Sequence, residues 1–261
     1  MKEINPDRVL PEQAKHLIAE LAQRQARAGG ILMQAINFVG GQVQDGLRLL
    51  PKSARSQFDA AVRSALLQSY EAAHKSRQGA GERFAGERIN RAFATLSGAL
   101  GGIGGLPTAL LELPVATTVI FRAVQDIADA HGEDPTSPEA RLECLRVFGA
   151  GGPGGLDDGV DTAFIGARLS ITGSAVQSLV SKIAPRFGIV ISQKIASQAV
   201  PIIGAAAGAG TNYAFINYYS EMANVHFGLR KIARDHDPVQ VVEAFHEALA
   251  QATGKAPLTH A

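Results

Sequence analysis

The chain has 261 residues, enough to bury a sizeable core in one helical domain or in two closely packed ones. Lys and Arg number 25 against 24 Asp and Glu, so a net charge of +1 sets up no global field to recruit nucleic acid, and any partner must be recognised locally. Charged residues make up 19%, fewer than the roughly 25% of ordinary soluble domains, which leaves apolar surface for lipid or a partner.

The single cysteine, Cys144, cannot form an intramolecular disulfide and reads as a small buried hydrophobe suited to a reducing cytoplasm. The first twenty residues lack the apolar run of a secretory signal, so no export is expected.

In chain order, Pro11 opens an amphipathic helix read over residues 11–28, with Leu17, Ile18 and Leu21 at helical spacing. Gly29 and Gly30 are read as interrupting it, after which Ile31, Leu32, Ile36, Val39 and Val43 carry an apolar face to Pro51. A third helix starts at Pro51–Ser53 and carries Phe58, Val62, Leu66 and Tyr70. Residues 76–91 form a charged connection. Residues 92–111 hold no charge and crowd five glycines between Gly98 and Gly105, and Pro107 is expected to end or kink the segment. Residues 113–130 form an amphipathic helix that stops at His131-Gly132, and Thr136 or Ser137 caps the next helix ahead of Pro138.

The run GAGGPGGLDDG at 149–159 reads as a flexible loop. Beyond it, FGIVIS at 187–192 allows a short strand, although helix is the expectation, and residues 195–220 form a second uncharged Gly/Ala-rich segment. Arg230, Lys231 and Arg234 close the helix that follows. Asp237-Pro238 then starts a last helix with Val242, Phe245 and Leu249 on one face, followed by a disordered tail over 253–261. The fold expected is all-α: a single multi-helix bundle with two buried Gly/Ala-rich helical segments, residues 1–39 adding N-terminal amphipathic helices to a domain over 40–252.

Two stretches, GALGGIGGLPTALLELPVATTVIFRAVQDIADAHGEDPTSPEARL at 98–142 and VPIIGAAAGAGTNYAFINYYSEMANVHFGLRKI at 200–232, resemble the EcsC family in order and spacing. The Leu50-Pro51 pair and its following helix extend the resemblance over most of the chain from about residue 40. The departures are Glu112 where an aspartate is expected before Leu-Pro, and the GGPGG insertion. The resemblance implies a bacterial protein of a family named for a member linked to an ABC transporter operon, its biochemical activity undefined.

No residue pattern identifies a catalytic site. Gly149, Gly151 and Gly154 satisfy G-x-G-x-x-G, but a helix precedes them where dinucleotide binding needs a strand. Glu71-x-x-His74 and Glu243-x-x-His246 have the spacing of carboxylate-bridged di-metal bundles, yet both read as solvated faces and two further bridging glutamates are missing. His16, His226 and His236 have no ligand-spaced companions, and Asp157, Asp158 and Asp161 lack the ordered oxygens and bidentate Glu of a calcium loop. No metal and no cofactor are expected.

The binding candidates are Arg122, Asp126, Asn212, Asn217 and Arg230. Arg122 and Asp126 make an ordinary i,i+4 pair, or reach Asn212 or Arg230 instead. Asn212 and Asn217 need partners if buried, since an unpaired amide costs roughly 2–7 kcal/mol.

The expected function is a non-enzymatic binding or accessory protein at the cytoplasmic membrane face, with a membrane lipid or a membrane protein such as a transporter as partner. The alternative is a hydrolase with a carboxylate/His site such as Asp126 with His131. The 26-residue stretch 195–220 is long enough to span a bilayer, but Gln198, Asn212, Asn217 and its many small residues make insertion marginal. Peripheral attachment is the expectation, with Lys182, Arg186, Lys194, Arg230, Lys231 and Arg234 attracting anionic headgroups.

Overall fold

The computed structural model describes residues 9–40, 52–77, 105–149, 176–184 and 204–254. Every element among them is a helix: α1 (Glu12–Gly40), α2 (Lys52–Arg77), α3 (Gly105–Ala130), α4 (Pro138–Val147), α5 (176–184), α6 (Gly204–Ile232) and α7 (Pro238–Thr253). The all-α expectation therefore stands. FGIVIS, the Asp157–Asp161 group and most of the 149–159 run lie outside the described residues, as does the tail beyond Gly254.

Two boundaries differ from the sequence reading. Helix α1 continues through Gly29 and Gly30, because two glycines cost about 1 kcal/mol each relative to alanine, too little to break a helix held by tertiary packing. Helix α3 begins at Gly105, so Pro107 stands in its first turn, where a missing N–H costs no intrahelical bond. Proline thus marks the start of this helix and not its end.

The caps follow local chemistry. Helix α3 ends in a Schellman arrangement: Glu133 N–H donates to Ala128 C=O at 3.0 Å and Gly132 N–H to Asp129 C=O at 2.8 Å. Gly132 sits at φ +79°, a conformation that only glycine adopts without strain. Ser137, not Thr136, caps α4, its Oγ accepting from Ala140 N–H at 3.2 Å. Asp237 caps α7 by accepting from Val239 N–H at 3.0 Å.

Two apolar clusters share α6. One joins α2, α3, α4 and α5 to one side of it around Phe121, Phe148 and Tyr219. These rings stack in sequence, with centroids 4.1 Å and 4.8 Å apart. The other cluster packs Leu10, which precedes α1, Ile18 and Ala22 of α1, and Val241, Val242 and Phe245 of α7 against Val225 and Leu229 of α6.

Helix directions follow from the contacts. Leu21 lies against Gly228 and Arg24 pairs with Glu221 at 3.2 Å, so α1 and α6 run antiparallel. The Phe121–Phe148–Tyr219 stack, the His131–Asn224 contact and the Glu133–Arg230 pair advance together along α3 with its following turn and along α6, so α3 and α6 run in the same sense. The far half of α1 and the starts of α3 and α6 therefore lie toward one end of the body. The turn at 131–137 lies toward the other.

Candidate functional site

The polar groups that converge most closely are not those singled out in the sequence. Helix α4 carries Glu143 and Arg146 at i,i+3, and both side chains are buried. Arg146 Nη1 donates to Glu143 Oε1 at 2.9 Å, and Arg230 Nη1 of α6 reaches the same oxygen at 3.2 Å. Glu143 Oε2 lies 2.9 Å from Nε2 of His226, which is fully buried on α6. An ionised carboxylate only accepts, so this ring nitrogen carries the hydrogen, and Nδ1 has no hydrogen-bond partner among the described residues.

Arg230 bridges onward. Its Nε donates to Glu133 Oε1 at 3.2 Å, and Arg234 Nη2 donates to the same oxygen at 2.9 Å. Arg234 also reaches the Gly132 carbonyl at 3.4 Å. The turn after α3, helix α4 and the end of α6 are thereby tied into one ionic cluster.

Burial pushes the Glu143 pKa up, but the hydrogen bond from His226 and the charges of His226, Arg230 and Arg146 outweigh it and hold the carboxyl below its ordinary value. Glu133 behaves alike: burial raises its pKa, and Arg234 and Arg230 bring it below normal. His131 lies half-buried with Nε2 3.3 Å from Asn224 Oδ1. Burial lowers its pKa, with Lys231, Arg24 and Arg234 adding to the effect, more than the bond to Asn224 raises it.

Of the binding candidates, Arg122 and Asp126 are half-buried on α3 and Asn217 is half-buried on α6. Arg230 is engaged by Glu133 and Glu143. The side chain of Asn212 lies outside the described residues. Arg234 also belongs to the ionic cluster, whereas Lys231 is exposed.

The paired Glu-x-x-His spacings do not form a shared site. Glu71 is exposed and pairs with Arg141 at 3.3 Å, while Arg141 lies over the Tyr70 ring at 4.4 Å. The side chain of His74 lies outside the described residues. Glu243 is exposed, but His246, expected on the polar side of its helix, is buried at 9% exposure. Its position four residues after Val242 and three before Leu249 puts it on the apolar stripe of α7. Among the described residues, no group of three or more His, Cys, Asp or Glu side chains is arranged to hold a metal ion. Gly149 follows a helix, as read, and a Cβ there would stand 2.9 Å from Ile183 Cγ1; Gly151 and Gly154 lie outside the described residues.

The sequence reading missed Glu133, Glu143 and Arg146, and set His226 aside as a histidine without ligand-spaced companions. A Glu and an Arg three apart on the inward face of a short helix was the available signal; their partner His226 lies 83 residues from Glu143. Among the described residues, no helix is long and apolar enough to cross a membrane.

The EcsC protein family model matches residues 18–232, so the match begins within α1 and ends on the last residue of α6. This chain belongs to the EcsC family. No curated protein and no solved structure matches it.

Proposed function

We propose that this EcsC family protein is a non-enzymatic binding or accessory protein that works at the cytoplasmic face of a membrane, attached peripherally and serving a lipid or a membrane protein such as a transporter. The observation that carries this reading is the lengthwise segregation of charge along α1, α3 and α6. Residues 28–44, 92–111 and 195–220 hold no charged residue, and the parts of them that fall in these helices lie toward one end of the body. The ionic cluster of Glu133, Glu143, Arg146, Arg230 and Arg234 lies toward the other.

The cluster supports the non-enzymatic half of the reading. A general base works best with a pKa near the operating pH, whereas Glu133 and Glu143 are held as carboxylates below their ordinary values by arginines they cannot easily release. The same pairing occupies Arg230 and Arg234, so attachment through those two cations is disfavoured, and an uncharged surface becomes the better docking element.

Fractionation of cells expressing the full chain tests the proposal. Part of the protein is expected in the membrane pellet and is released from it by alkaline carbonate. A wholly soluble distribution, or retention until detergent is added, would overturn it.

A further inference from the structure

We propose that His131 and Lys231 form a binding site for a phosphate monoester, set between the turn after α3 and the last turns of α6. The site goes beyond the membrane reading above and does not depend on it.

His131 is held in one tautomer. Asn224 Nδ2 donates to the Ser220 carbonyl at 2.9 Å, and this turns Asn224 Oδ1 toward the ring, 3.3 Å from Nε2. An amide oxygen only accepts, so Nε2 carries the hydrogen and Nδ1 keeps its lone pair. The ring is half-buried, and Nδ1 meets no donor among the described residues. Burial, joined by the charges of Lys231, Arg24 and Arg234, disfavours a second proton on the ring.

Lys231 supplies the complementary donor. It follows Asn224 by seven residues, so the two share one stripe of α6. The Cα–Cβ bond of a helical residue tilts toward the N-terminus, which leans Lys231 back toward the level of His131. Lys231 is exposed and meets no acid within ion-pair distance among the described residues. The other two cations near the ring are held by carboxylates, Arg24 by Glu221 at 3.2 Å and Arg234 by Glu133 at 2.9 Å. The three charges that act on His131 are thus positive, and Lys231 is the one with donors to spare.

The accepting nitrogen selects among anions. Sulfate, a carboxylate and a phosphate diester offer only acceptors at neutral pH, so they would meet Nδ1 lone pair to lone pair. A phosphate monoester loses its last proton at about pH 6, so near neutrality it can place one O–H on Nδ1 while its ionised oxygens accept from Lys231. Glycerol phosphate in solution and the headgroup of phosphatidate carry this same group.

The test follows the His131 ring of the full chain by proton NMR at neutral pH, its signal identified by its loss in His131→Gln. Glycerol phosphate is titrated in while sodium chloride keeps the ionic strength constant. The His131 signal is expected to move saturably, and the midpoint of its pH titration to rise above the phosphate-free value. Sulfate should bind about tenfold more weakly, and so should glycerol phosphate to Lys231→Met, each having lost one charge-assisted hydrogen bond. Circular dichroism checks that both variants keep wild-type helicity. Equal binding of sulfate and glycerol phosphate, or unchanged binding in Lys231→Met, would overturn the site. Sedimentation with vesicles separates the two sources of the group. Saturation by glycerol phosphate assigns a soluble phosphate monoester. Retention on phosphatidate vesicles that exceeds retention on phosphatidylglycerol vesicles and is lost in Lys231→Met, with His131 unmoved by glycerol phosphate, assigns the headgroup. If His131 is unmoved and phosphatidate brings no excess, the proposal falls while the membrane reading stands on its own test.

Discussion

Glu143 Oε2 lies 2.9 Å from His226 Nε2, and this contact ties α4 to α6 at the centre of a buried ionic cluster. Removing the carboxylate would leave Arg146 buried and deprive Arg230 of one of its two acids. Breaking one side of a buried pair costs about 3–5 kcal/mol, so Glu143→Ala is expected to lower the urea midpoint by that much stability. Arg146→Ala added to it should cost less than Arg146→Ala alone, because the two share one interaction; full additivity would contradict the pairing.

Acid sensitivity follows from the same groups. Burial opposes ionisation of Glu133 and Glu143, but their arginine and histidine partners bring both pKa values below the ordinary 4.5. A carboxyl whose folded pKa is depressed adds stability above its unfolded pKa and loses it as pH falls through the folded value. Stability should therefore drop below about pH 4.5. The drop should be shallower in Glu133→Gln and Glu143→Gln. His131, whose pKa burial lowers from 6.5, obeys the same sign at a higher window: stability declines as pH falls from 6.5 toward its folded pKa. A proton NMR titration should place the His131 midpoint below 6.5.

The antiparallel seam of α1 and α6 depends on Gly228. A Cβ there would stand 2.9 Å from both terminal methyls of Leu21, which are flexible enough to move aside. Gly228→Ala is expected to stay within about 1 kcal/mol of wild type, since the gain in helix propensity offsets the shift of Leu21. Gly228→Leu overpacks the seam and should cost about 1–3 kcal/mol. Equal thermal midpoints for the two variants would contradict the close approach.

The sequence carried what local chemistry decides. Ser137-Pro138 and Asp237-Pro238 announced two helix starts, and His131-Gly132 announced a helix end, because capping needs only neighbouring residues. Gly29-Gly30 and Pro107 misled because glycine and proline act through context: packing carries α1 through the first pair, and a helix start accommodates the second. His246 was placed with its charged neighbours, although i,i+4 spacing from Val242 puts it on the buried stripe. The ionic cluster was illegible for a different reason: its members come from a turn, a short helix and the end of a long one, and no local spacing announces a pairing across 83 residues. Arg230 was singled out, but as a ligand-binding cation and not as the bridge between Glu133 and Glu143.

The most direct measurement of the central claim is flotation of the unmodified protein with vesicles of phosphatidylcholine and phosphatidylglycerol on a density gradient, at low and at high salt. Docking through an uncharged end predicts that a fraction of the protein rises with the vesicles at both salt concentrations. Protein that stays at the bottom of both gradients would contradict membrane docking, and protein that rises only at low salt would assign it to exposed cations instead.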